Sequence, residues 1–200
     1  MEYFFFLLMV ISIPVVFYLS TRQYSSWSAV KERWFRAGIE NGLLFSSGVT
    51  DGKEALQLKG EYSGCVISLS TYKSRTLSGS TVKVALPEVL AQHLGDYSID
   101  VLAAFVDTIE RVLNTDLGEQ AYQLKLGDTG RRLNPLIVEQ LIALREGYFK
   151  QGRRFRFGEA AILYEQDTIA VDPALLFPVL DELVVLVNLM AANTGYLLVK

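Results

Sequence analysis

A chain of 200 residues with a net charge of −3, half of it hydrophobic and a fifth charged, has ample apolar surface for a core. That balance excludes a disordered chain, and the mildly negative charge gives no reason to expect a nucleic-acid partner. One cysteine, Cys65, excludes an intramolecular disulfide framework, and one histidine, His93, leaves little for a metal set or a histidine relay.

Tyr3–Leu19 is an apolar run diluted only by Ser12 and Pro14. As a helix it would be about 26 Å long, close to the roughly 30 Å of a bilayer core. Tyr3 and Tyr18 stand where amphipathic rings favour headgroups, and Pro14 is expected to kink the helix rather than break it. Residues 1–22 therefore read as a single transmembrane anchor. A cleaved signal peptide fits less well, because neither a basic leading region nor a small-residue cleavage motif is present. Arg22, Lys31, Arg33 and Arg36 follow the run. By the positive-inside bias the amino terminus is expected outside and the rest of the chain in the cytoplasm. A lone cysteine agrees with a reducing compartment.

Ser25–Gly38 has the pattern of an amphipathic helix, with Trp27, Val30, Trp34 and Phe35 at helical spacing and Lys31, Glu32, Arg33 and Arg36 opposite. Aromatic and basic residues beside a bilayer make Trp27, Trp34 and Phe35 candidates for its interface; packing on the folded domain is the other reading. Residues 23–45 are assigned to this juxtamembrane helix and a glycine-rich linker, and residues 46–200 to one cytosolic domain.

Within the domain, 55–59 and 65–72 alternate around a glycine-bounded connection, which predicts a hairpin, and 81–86 a third strand. Pro87 opens a short helix over 88–94, and Ser98 is placed to cap a helix over 99–113 that buries Ile99, Leu102, Val106, Ile109 and Leu113. The alternation in 120–126 predicts a strand. Asn134-Pro135 opens a helix over 136–148 with Leu136, Leu141, Ile142 and Leu144 inward. Three short strands follow, over 153–157, 160–165 and 168–171, joined by two-residue hairpin connections. Asp172-Pro173 starts a last helix, through Ala192, that Pro178 is expected to bend. Hairpins in series with helices between them argue for an α+β fold: a mainly antiparallel sheet with helices packed on one face, after the transmembrane helix.

The stretch from Gly60 to Leu69 (GEYSGCVISL), the expected 121–126 strand before a leucine-rich helix, the later hairpins and the last apolar helix resemble a group of uncharacterised bacterial membrane-anchored proteins. In those, one or two transmembrane helices precede a cytosolic α+β domain of unknown function. The likeness is one of spacing over residues 30–195; it implies fold and location and transfers no catalytic residue.

No G-x-S-x-G, P-loop or G-x-G-x-x-G occurs, and one His and one Cys at unrelated positions make no ligand set. No catalytic residue, metal or cofactor is therefore assigned. His93 reads as a packed or surface histidine. Asp100, Asp107 and Glu110 read as a solvated helix flank, with Arg111 spaced for an ion pair to Asp107. The hydroxyl-rich stretch 68–81 reads as a polar strand edge and loop. The strongest surface signal is the basic strand, where alternation sends Arg154 and Arg156 one way and Phe155 and Phe157 the other. Lys150, Arg153, Arg154 and Arg156 are the candidates for contact with an anionic surface or partner. The function expected is a non-catalytic interaction or scaffold protein anchored in the membrane, with a protein partner, and self-association compatible with it. The alternative is a membrane-tethered enzyme acting on a phosphorylated or lipid substrate through the basic strand.

Overall fold

The computed structural model describes residues 27–199 apart from 51, 75, 149–152 and 159, with the side chain of residue 50 also left aside. The apolar run Tyr3–Leu19 and Lys150 lie outside the described residues. Among the described residues no helix is long and apolar enough to cross a membrane.

The architecture is mixed α+β, built on a six-stranded antiparallel sheet in the order β1-β2-β3-β4-β7-β6. Its strands are β1 Leu44–Thr50, β2 Lys53–Tyr62, β3 Cys65–Lys73, β4 Ser78–Ala85, β6 Arg153–Phe157 and β7 Ala161–Gln166. A two-stranded ribbon pairs β5 Arg132–Leu133 with β8 Leu198–Val199. The helices are α1 over 27–40, α2 Glu88–Gly95, α3 Ile99–Asn114, α4 Pro135–Tyr148 and α5 Phe177–Ala192.

The period-2 pattern assigns the two faces of the sheet. Leu56 and Leu58 of β2, Ile67 and Leu69 of β3, Val82 and Val84 of β4, and Phe155 and Phe157 of β6 are all buried. Helix α5 covers β4 and α3 covers β6 on that side, and α4 packs outside both. Helix α5 buries Leu180, Leu183, Leu186, Val187 and Met190, each stabilising by about 1.5–3 kcal/mol when fully covered. The intervening strand residues point away from this core.

Several expectations change. The 44–50 stretch, which straddles the end of the expected linker at 45, is strand β1: Thr50 pairs with Lys53 across a two-residue connection, and the register runs back to Leu44 opposite Lys59. The boundary expected at 46 thus falls inside a strand. The β2–β3 connection is tighter than predicted, with Tyr62 opposite Cys65 and both turn residues at positive φ, Ser63 at 49° and Gly64 at 79°. That is the type I′ geometry matching strand twist. The 120–126 strand is instead the 3-10 turn Gly118–Gln123, with only Lys125 bridging to Arg132. The third strand of the later group is irregular, because its backbone is engaged by side chains: Ser80 Oγ donates to Thr168 O at 2.8 Å and accepts from Ala170 N at 2.7 Å. Pro178 stands in the first turn of α5, where its missing N–H costs nothing, so it begins that helix rather than bending it. Helix α3 is rotated from its predicted phase. Phe105, Thr108, Ile109, Val112 and Leu113 are inside, and Ile99 is exposed. Ser98 occupies the cap position without a side-chain cap bond. In α4, Asn134 does cap, accepting from Leu136 N at 3.0 Å, but Leu136 itself is exposed and Ile137 and Val138 take its place inside.

Helix α1 belongs to the same core. Val30 and Trp34 are buried in it, and Trp34 Nε1 donates to Ala170 O at 2.9 Å. Gly38 lets the helix approach Leu43 and Leu58 so closely that a Cβ there would lie 3.0 Å from Leu43 O.

Candidate functional site

The side of the sheet that the described helices leave uncovered is the candidate surface. Successive pairings place Lys59, Ser68, Lys83, Leu163 and Arg156 in one row across β2, β3, β4, β7 and β6. The adjacent row runs Gln57, Ser70, Thr81, Glu165 and Arg154. At about 4.8 Å between strands, each row spans about 19 Å. Lys59, Lys83, Arg154 and Arg156 are exposed, while the hydroxyls between them are half-buried, so the charges stand above a low polar floor. Gln57 Nε2 donates to Ser68 Oγ at 2.9 Å and ties the two rows together. Lys53, two rows beyond Gln57, lies over the Tyr72 ring of the intervening row with Nζ 5.3 Å from the centroid.

Charge on this face is unequal. Lys53, Lys59, Lys83, Arg154 and Arg156 face Glu61 and Glu165 in a chain whose overall charge is −3. Glu165 engages both arginines through one oxygen, with Arg154 Nε at 2.6 Å and Arg156 Nε at 3.2 Å from Oε2. Among the described residues no carboxylate comes within ion-pair reach of Lys59 or Lys83. The two lysines are therefore the cations most available to an anionic group, and the arginines are partly neutralised.

The basic strand is divided by its own pleat. Arg154 and Arg156 point to the open face and Phe155 and Phe157 into the core, in the predicted phase. Arg153 does not join them: it shares the side of Phe155 and is half-buried, and its charge lowers the pKa of Tyr164 against the larger upward push of burial. Lys59 and Lys83 were missed in the sequence, although carrying the Arg156 row across paired hairpins leads to both. The hydroxyl-rich stretch is split as well. Ser68, Ser70 and Thr81 line the open face; Thr71 and Ser80 are buried and bonded to each other at 2.9 Å.

The aromatic candidates separate too. Trp34 is completely buried, with its indole N–H bonded to Ala170 O, so it is corrected from an interfacial residue to a core one. Trp27 is half-buried, and Phe35 is 49% exposed with its ring edge-on to Phe45 at 5.7 Å.

Elsewhere the polar groups have structural partners. Glu110 Oε1 accepts from Phe157 N at 2.8 Å, and among the described residues Asp107 and Arg111 form no ion pair. His93 Nε2 lies 3.3 Å from the Tyr97 hydroxyl, and no hydrogen bond among the described residues joins it to a carboxylate. Burial pushes the Cys65 thiol upward, and its Sγ lies 3.6 Å from Asn188 Oδ1. The Tyr62 hydroxyl donates to Asp181 Oδ1 at 2.8 Å, and that bond, with burial, raises its pKa. Among the described residues no three of His, Cys, Asp and Glu come together closely enough to hold a metal ion.

Set against known proteins, no protein-family model matches the chain, no curated protein is similar enough to count as a match, and no solved structure matches its fold.

Proposed function

We propose that the protein is a non-catalytic interaction protein, held at the cytoplasmic face of a bacterial inner membrane by a single-pass helix over Tyr3–Leu19, that meets an acidic partner through the open face of its sheet. The observation carrying this reading is the pair of cationic rows, in which Lys59 and Lys83 stand between polar side chains with no carboxylate partner among the described residues. A sheet face normally needs only scattered polar residues to remain in water. An excess of one sign, spaced over about 19 Å, gives electrostatic complementarity that steers and selects an oppositely charged surface. The apolar run, its flanking tyrosines and the cations that follow it support the anchor and its orientation.

The test has two arms on the full chain. A reporter fluorescent only in the cytoplasm, fused after Lys200, should be bright; an active periplasmic reporter there would contradict the orientation. Proteins co-purifying with the detergent-solubilised chain should be lost in a Lys59→Glu, Lys83→Glu variant and retained in Arg33→Glu, which changes charge on α1 and not on the sheet. Loss in both variants, or in neither, contradicts the assignment to the open face.

A further inference from the structure

The two edges of the sheet are treated in opposite ways. At one edge, the backbone of β6 is already occupied by side chains of α3. Asn114 Nδ2 donates to Phe155 O at 2.9 Å while its Oδ1 accepts from Phe155 N at 2.8 Å, so one amide side chain imitates the two-bond exchange of a neighbouring strand. Glu110 Oε1 takes the next outward N–H, that of Phe157. Arg153, Arg154 and Arg156 add charge to the same strand. Those are the means by which an edge is closed to pairing.

At the other edge, β1 has none of them. Its sequence, LFSSGVT, contains no charge and no proline, and it pairs with β2 through seven consecutive residues without a bulge. Because Thr50 and Lys53 close a two-residue hairpin connection, Thr50, Gly48, Ser46 and Leu44 direct their backbone groups to β2. The N–H and C=O groups of Phe45, Ser47 and Val49 then face outward. Among the described residues no side chain bonds to them, and Val49 is 70% exposed.

We infer that β1 is a dimerisation edge whose occupant is β1 of a second copy, paired antiparallel about Ser47. The segment is self-complementary in that register alone at full overlap. Ser47 meets Ser47 of the second copy, and Phe45 meets Val49 twice, an aromatic–β-branched cross-strand pair that covers the exposed valine. Nothing in β1 repels its copy, since it carries no charge. Directly opposed residues share a face, so the pairing joins the two open faces on the same side of one continuous sheet. The inference goes beyond the proposed function and does not use Lys59 or Lys83.

The experiment is a disulfide trap on the full chain in detergent or nanodiscs. Hydrogen-bonded antiparallel partners have Cα atoms about 5.5 Å apart, within the range a disulfide spans. Ser47→Cys should therefore give a covalent dimer on a non-reducing gel after oxidation with copper phenanthroline; Cys65 is buried and stays in place. Thr76→Cys, exposed in the β3–β4 loop, should give at least ten-fold less. Ser47→Lys, which sets two cations opposite each other, should shift the native mass from dimer to monomer with unchanged circular dichroism. If Ser47→Lys fails to fold, the Ser47→Cys comparison decides alone. A native mass that is monomeric at all concentrations, or a dimer with no Ser47→Cys link above the Thr76→Cys level, overturns the inference. So does a monomer whose Phe45, Ser47 and Val49 amides are slow to exchange, because another segment of the same chain would then fill the edge.

Discussion

Trp34 shows how one residue fixes the position of three segments. Its ring fills the space between α1 and the sheet, and its N–H holds the carbonyl of Ala170, whose own N–H is held by Ser80 of β4. Trp34→Ala removes both the packing and the bond and should cost about 3–5 kcal/mol. Trp34→Phe keeps most of the ring but leaves the Ala170 carbonyl unpartnered, costing about 1–3 kcal/mol. Urea denaturation of the two variants should show that order, and a Trp34→Phe variant as stable as the parent would mean that the bond contributes nothing. The opposite sign is expected at Ser63, which sits at φ 49° before Gly64 at 79°. Ser63→Asn suits the type I′ turn better and should stabilise by up to about 1 kcal/mol; a lower urea midpoint would contradict that turn geometry. Trp34 was visible in the sequence as part of an apolar stripe, but a stripe beside a basic helix looks the same whether it meets lipid or protein. Only the carbonyl 136 residues away resolves it.

At the level of elements, legibility followed local signal. β2, β3, β4 and β6 alternate cleanly and were readable as strands, and for β6 so was the side to which each residue points. β1 was not, because Ser46, Ser47 and Gly48 have weak strand preference and pairing with β2 supplies what they lack. The Asp51-Gly52 pair between 50 and 53, a strong hairpin signal, was the overlooked clue. The 120–126 segment erred in the other direction: it alternates, but no strand lies beside it except Arg132. The cationic rows were half legible, since alternation yields Arg154 and Arg156 but only register brings in Lys59 and Lys83. The closure of β6 was not legible at all, because Glu110 and Asn114 look like solvated helix residues until α3 is laid against the strand. Asn114→Leu should uncover both backbone groups of Phe155 and cost about 1–3 kcal/mol by urea unfolding. Glu165→Gln, by contrast, removes only a surface ion pair and should change stability by no more than about 1 kcal/mol. A large loss in Glu165→Gln would mean that the two arginines are held for structure.

For the whole molecule, burial of titratable groups predicts a direction with pH. Burial raises Cys65, Tyr97 and Tyr164, so each keeps its proton in the folded state to a higher pH than in the unfolded chain. Their contribution is fully present below the ordinary thiol and phenol ranges, about 8.5 and about 10, and is lost as pH rises through the raised values. The urea midpoint should fall between pH 8 and pH 10.5, and a flat profile would contradict the burial of these groups. The central claim is that the open sheet face, rather than the helical side, receives a partner at the membrane. A photo-crosslinking residue placed at Leu163, between Lys83 and Arg156 in the cationic row, and another at the exposed Val185 of α5 compare the two sides within intact membranes. The account predicts an adduct from position 163 that disappears when Lys59 and Lys83 are changed to Glu, and none of the same mass from position 185. The same adduct from position 185, or one from position 163 that survives both charge reversals, would contradict it.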